Sequence, residues 1–398
     1  MSSDTSNHDA IFSRLGVARV INACGVYTDL GGSIISPTVW AAMQDINRWY
    51  VSMPELLDRT GVILAEMVGA EAARVVPGAS AAIALGAAAC AAGNDPPRWQ
   101  RLPDTTGMRN EVIIQRPQRY KYDRCATLAG VRLIEAGDDR GTTPAQIERL
   151  IGSATAAILV PAHLDGRPGT VCLRDVVALA RPRGVPVLVD AAYMNDPPEI
   201  MGSYTAQGAD LVCVSSKYYG GPNAGGFICG RRDLMDIVTG LDFTGYEANE
   251  YHQFGRAYKL DRQIVVGVVL ALQEWMAIDP AVRWASYRTR VDAIARYVAD
   301  LKGVRCTPQW FTMDERLVSE RVNCLAVRFD DHPLRTASKV SELLAHGDPS
   351  IRTPVLDGTL VVAVDTVLDG QESTIGERLR AVCLQLEADP GRKKFELV

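Results

Sequence analysis

Between residues 70 and 230, short apolar runs alternate with amphipathic stretches, the rhythm of a sheet with helices on its faces. The pattern predicts strands at 73–76, 111–115, 131–135, 156–161, 185–190, 210–215 and 225–229. Several of these are apolar on both faces, as a sheet covered by two helical layers requires. Ser36-Pro37 and Thr142-Thr143-Pro144 each set a capping hydroxyl before a first-turn proline, so a helix is expected after each. The longest apolar run, Ala79 to Ala92, has about 14 residues against the ~20 that cross a bilayer, and it reads as a buried helix.

Beyond residue 261 the pattern changes to long helices at 262–278 and 281–301, strands at 322–329 and 359–364, and a last helix at 372–387. We therefore expect a large α/β domain over 50–260, and a smaller α+β domain built from 1–49 and 261–398 with an interdomain helix. No internal repeat and no long Gly/Ser linker separates them.

The chain has 398 residues, 47% hydrophobic and 22% charged, which suits an ordinary globular protein. Its net charge of −5 removes the general attraction that drives nonspecific nucleic-acid binding. The local cluster Arg116, Arg119, Lys121 and Arg124 reads as a solvated face. The start, Met1 to Asp9, has neither a basic cluster nor an apolar core, so a cytoplasmic location without a membrane partner is expected. Nine cysteines without a C-x-x-C and five dispersed histidines argue against a disulfide framework and a metal site.

Lysine is scarce, with seven residues against 35 arginines. Lys217 leaves an apolar run for the glycine-rich Tyr218-Tyr-Gly-Gly-Pro-Asn-Ala-Gly-Gly226, and Asp190 ends another apolar run 27 residues earlier. Val75-Val-Pro-Gly78-Ala79-Ser80 turns from a strand into a helix, whose start presents N–H groups to an anion. Each feature alone has a plain structural reading as a cap, a packing turn or a solvated lysine. Together they supply an amine, a carboxylate and a phosphate cradle, the three groups that pyridoxal phosphate needs.

With these stand Val20-Ile-Asn-Ala-Cys-Gly25, Leu30-Gly-Gly-Ser33, Leu102 to Gln115, Val189-Asp-Ala-Ala192, Ser216-Lys217 with Gly221-Pro222, and Gly255-Arg256 with Lys259. The set resembles the selenocysteine-synthase-like branch of fold-type I pyridoxal phosphate enzymes, and within it the D-glucosaminate-6-phosphate ammonia-lyases. The resemblance runs from about residue 15 to 385.

It implies the fold-type I (aspartate-aminotransferase-like) large domain, with a mixed, mostly parallel seven-stranded sheet, and a smaller α+β domain. It implies that Lys217 binds the cofactor and acts as the base at Cα, that Asp190 pairs with the ring nitrogen, and that Ala192 lies beneath the ring. Gly78, Ala79, Ser80 and Ser215 would hold the phosphate, and His163 would lie near the phenolic oxygen. Gln118 stands where relatives often carry a histidine over the ring, with Tyr120 or Tyr122 as alternatives.

Asn22, Thr28, Arg256 and Arg352 are implied at the substrate, with Arg352, Arg256 and Arg119 the candidate forks for its carboxylate. Asp365 stands where relatives tend to carry a second arginine. The implied activity is removal of the Cα proton of an amino acid followed by elimination of a β-hydroxyl or related group. A racemase or epimerase, an aminotransferase, and a non-catalytic binding protein are the alternatives. The extra N-terminal helical region of selenocysteine synthases is not found before Ile21, which argues against a tRNA partner. A homodimer or larger homo-oligomer is implied.

Overall fold

The computed structural model describes residues 11–248, 254–330 and 334–388. The segment 1–9, on which the absence of a leader was read, lies outside them, as do His8, His252 and His332. Two compact units form: Gly31–Ala277, and Met1–Leu30 with Ile278–Val398.

In chain order the first strands are β1 (Val20–Asn22), β2 (Ala72–Val76), β3 (Glu111–Gln115), β4 (Arg132–Ala136), β5 (Thr155–Pro161), β6 (Val187–Asp190), β7 (Leu211–Ser215) and β8 (Gly226–Gly230). Strands β2 to β8 make one seven-stranded sheet in the order β2-β8-β7-β6-β5-β3-β4. The neighbours from β7 through β6, β5 and β3 to β4 are parallel, and β8 is antiparallel to both β7 and β2. This is the mixed, mostly parallel fold-type I sheet expected.

Alternation along each strand sends side chains to two apolar layers. Ile158, Val160, Val187, Val189, Val212 and Val214 enter one layer, together with residues of the helices Met53–Val68, Leu173–Ala180 and Arg262–Ala277. Leu159, Leu188, Leu211, Cys213 and Ile228 enter the other, against the helices Gly78–Ala92 and Arg232–Leu241. Gly78–Ala92 is buried nearly all round. Its small side chains permit this: a Cβ on Gly86 would stand 3.0 Å from Leu188 Cδ1. The helix Pro144–Leu150 opens with a reciprocal capping box between Thr143 and Gln146. Among the described residues no single helix is long and apolar enough to cross a membrane.

The second unit adds β9 (Val304–Phe311), β10 (Leu317–Val318), β11 (Cys324–Phe329), β12 (Ser350–Arg352), β13 (Val355–Leu356) and β14 (Thr359–Ala363). Five of them form a sheet in the order β10-β9-β11-β14-β13, and β12 pairs in parallel with β1. The helices Pro280–Arg296, Ala337–Ala345 and Gln371–Ala388 supply the rest of that core through Val291, Ile294, Val340, Leu344, Ile375 and Leu379.

Candidate active site

Three parallel strands reach the same edge: Pro161 of β5 is in register with Asp190 of β6, and Asp190 with Cys213 of β7, two residues before that strand ends. The carboxyl edge of a parallel sheet is where α/β proteins bind ligands. Asp190, only 4% exposed, is the last residue of β6. Its Oδ1 accepts the Ala192 N–H at 3.0 Å, and its Oδ2 accepts the Tyr120 hydroxyl. Burial raises the Asp190 pKa, and the two donors pull it back. Burial and the neighbouring Asp190 charge push the Tyr120 phenol far above its ordinary value, so it is a neutral donor.

β7 carries the chain from Cys213 through Ser215 to Lys217, which is 8% exposed. The Lys217 Nζ lies 4.8 Å from the ring centroid of Tyr218. From acid to amine the rings are contiguous. Tyr120 meets His163 edge-on at 5.2 Å, His163 meets Tyr193 at 5.1 Å, and Tyr193 meets Tyr218 at 5.7 Å.

The loop after Lys217 closes on itself. Ser216 Oγ donates to the Pro222 carbonyl at 2.6 Å, Gly221 N to the Ser216 carbonyl at 2.9 Å, and Ser216 N to the Gly225 carbonyl at 3.0 Å. Gly226 then pairs with both Ser215 and Val76, bringing the end of β7 beside the start of the helix Gly78–Ala92. A Cβ on Gly226 would stand 2.9 Å from Gly78 Cα, so the two backbones touch and position 226 needs glycine. Gly78 itself has φ +84°, and Pro77 before it makes no side-chain cap. The first-turn N–H groups at Gly78, Ala79 and Ser80 therefore have no side-chain acceptor at the cap position.

Gln118 is fully buried. Its Nε2 donates to the Leu164 carbonyl and its Oε1 accepts from Gln115 Nε2 at 3.1 Å, which ties the amide into the packing. The structure brings Tyr120, rather than Gln118, to Asp190. Arg119 is engaged by Asp123 and Glu135, Arg116 by Glu135 and Asp139, and Arg256 by Glu247 at 2.9 Å.

In the smaller unit, Asn22 and Arg352 are register partners. The Asn22 side chain closes its own turn, donating to the Gly25 carbonyl and accepting from Cys24 N. Thr28 opens a short 3-10 turn and, like Arg352, is exposed. Asp365 lies 3.7 Å from where a Cβ on Gly25 would stand, its Oδ1 is buried without a hydrogen-bond partner, and burial pushes its pKa up to about 6. Tyr193 and Tyr218 were not anticipated at the site, although they follow Asp190 and Lys217 by three residues and one. Among the described residues no cluster of three or more His, Cys, Asp or Glu side chains stands ready for a metal, and all nine cysteines are free thiols.

No protein-family model matches the chain. Over 308 residues, 75% of this chain and 74% of the relative, it is 33% identical to a 5'-C-glycyluridine monooxygenase-decarboxylase from a Streptomyces species. It is 32% identical over 291 residues to the D-glucosaminate-6-phosphate ammonia lyase of Salmonella typhimurium, covering 72% of this chain and 75% of that one. A solved structure of D-glucosaminate-6-phosphate ammonia-lyase superposes with a TM-score of 0.82 at 27% identity, over 97% of this chain and 100% of that one. The chain belongs to the selenocysteine-synthase-like branch of fold-type I pyridoxal phosphate enzymes.

An L-seryl-tRNA(Sec) selenium transferase of Moorella thermoacetica is 30% identical over 302 residues, 69% of this chain and 59% of its own length. A serine palmitoyltransferase structure, at 14% identity and a TM-score of 0.53, shares the fold over 93% of this chain and 88% of that one. The residues fit the cofactor of this branch. Asp190 keeps acceptor sites beyond the two already filled, since a carboxylate offers about four. The amine, the acid and the uncapped helix start lie on one edge of one sheet.

Proposed function

We propose that this pyridoxal phosphate enzyme is a lyase that removes the Cα proton of an amino acid and expels a hydroxyl or related group from Cβ. The reading is supported above all by Lys217 and Asp190, buried at the ends of adjacent parallel strands beside the uncapped start of Gly78–Ala92. It is supported further by the likeness, over nearly the whole chain, to an ammonia-lyase.

In this reading Lys217 would hold the cofactor covalently, Asp190 would pair with its ring nitrogen, and Ala192 would support the ring. Gly78, Ala79, Ser80 and Ser215 would hold the phosphate, and His163 would serve the phenolic oxygen. Pyridoxal phosphate, when bound, supplies an electron-withdrawing ring that spreads the charge left on Cα. Once the substrate's amino group has displaced it from the cofactor, the freed Lys217 amine would take the Cα proton. The Cβ–oxygen bond breaks with its electron pair leaving on oxygen, and water releases a 2-keto acid and ammonia. Arg352, Arg256 and Arg119 are the candidate forks for the substrate carboxylate, and of these Arg119 and Arg256 already pair with carboxylates of this chain.

We place the protein in the cytoplasm as a homodimer or larger assembly of this one chain, acting on a small amino acid without a nucleic-acid or membrane partner. A panel of D- and L-β-hydroxy amino acids tests the activity, with equal amounts of ammonia and keto acid expected. Loss of chirality without ammonia, ketone formation only with an added acceptor, or oxygen-dependent release of carbon dioxide would each overturn the lyase reading.

A further inference from the structure

Asp190 stands where burial alone favours the neutral acid. Two donors oppose that: the Ala192 N–H on Oδ1 and the Tyr120 hydroxyl on Oδ2. Tyr120 is itself held in place. Its backbone N–H donates to Asp123 Oδ2 at 3.1 Å, and the buried Asp123 is paired with Arg119 at 2.5 Å. Its ring is gripped edge-on by His163 and by Tyr122 at 6.2 Å. Cys213 and Tyr218 also feel the Asp190 charge, and both are pushed upward by burial and remain neutral. The Ala192 N–H and the Tyr120 phenol are thus two fixed donors to this carboxyl, and both favour its ionised form.

We propose that Tyr120 is a positioning residue for Asp190, fixing the plane of the carboxylate and holding it as an anion toward the cofactor's ring nitrogen. The proposal rests on the reading of Asp190 given above. A hydrogen bond to an ionised oxygen is stronger than one to a neutral oxygen, so the phenol favours the arrangement with the proton on the ring. Without it the carboxylate becomes the better base, and in a coupled pair the proton moves to the acid. The electron-withdrawing power of the ring then falls, although neither partner of the pair has been replaced.

The test uses the cofactor labelled with 15N at the ring nitrogen, loaded into the full-length parent, Tyr120→Phe, Asp190→Asn and the double variant. The parent signal is expected between the unprotonated and fully protonated ring positions, nearer the protonated one. In Tyr120→Phe it moves toward the unprotonated position and cofactor is lost on dialysis about ten-fold faster. In the Asp190→Asn background, replacing Tyr120 changes neither quantity further. Should Tyr120→Phe not fold, 3-fluorotyrosine at position 120 serves instead. Its stronger phenol donor moves the signal further toward the protonated side.

A Tyr120→Phe protein with the parent's signal and retention, a fluorinated protein with an unmoved signal, or additive effects in the double variant overturns the proposal. A parent that takes up no cofactor overturns the functional reading itself and this inference with it.

Discussion

The acid at the end of β6 and the acid at position 365 are both buried, and their partners decide what each does. Asp190 has two donors on its oxygens, whereas Asp365 Oδ1 has none, and its pKa rises from 3.8 to about 6. The folded chain thus keeps a proton on Asp365 that the unfolded chain releases. This contribution favours folding fully below pH ~4 and is lost as the pH rises through the folded value. Asp365→Asn removes the ionisation and nearly keeps the shape. The variant is expected to be more stable than the parent at pH 7.5, by on the order of 1–3 kcal/mol in urea denaturation, with the gap closing toward pH 4. Equal stability at pH 7.5 would contradict the assignment. Lys217, Asp190 and the turn at Gly78 were legible in the sequence because each interrupts an apolar run with a charge or a glycine. Tyr120 was legible only as an aromatic near the site. Its bond to Asp190 joins residues 70 apart, and no local pattern encodes such a contact.

At the scale of elements, each of the seven strands of the large sheet is where the apolar runs put it, to within about two residues. Strands covered on both faces leave an unambiguous signal. β9 was not anticipated, because Val304–Phe311 carries Arg305 and Pro308 and is only partly buried. It is a strand because β11 pairs along most of its length, with Pro308 opposite Leu325. β1 and β12, three residues each, are too short for any periodicity and exist through each other. The contact between Gly226 and Gly78 joins the last strand of the large sheet to the helix start. A Cβ at 226 would also stand 2.4 Å from the Val214 carbonyl oxygen, and neither backbone neighbour can swing aside. Gly226→Ala is expected to lower stability by about 1–3 kcal/mol in urea denaturation and to weaken cofactor retention. An unchanged urea midpoint would show that the two backbones are not packed this tightly.

For the whole molecule, the two units divide at 30/31 and 277/278, so residues 31–49 and the long helix Arg262–Ala277, expected with the smaller domain, lie in the larger unit. The large unit also leaves Trp40, Trp49 and Tyr50 exposed, at 52%, 77% and 95%. Large aromatic side chains so exposed suit a surface that a second copy covers. Sedimentation is expected to show at least a dimer of the 43.2 kDa chain, and a monomer at micromolar concentration would contradict that expectation. Every chemical role assigned here depends on where the cofactor is attached. The most direct measurement is to reduce the purified protein with borohydride, digest it and locate the added cofactor mass. The account predicts that mass on the peptide containing Lys217, and its absence from that peptide in Lys217→Ala. Cofactor on Lys259 or another lysine, or no covalent cofactor at all in the parent, would contradict it.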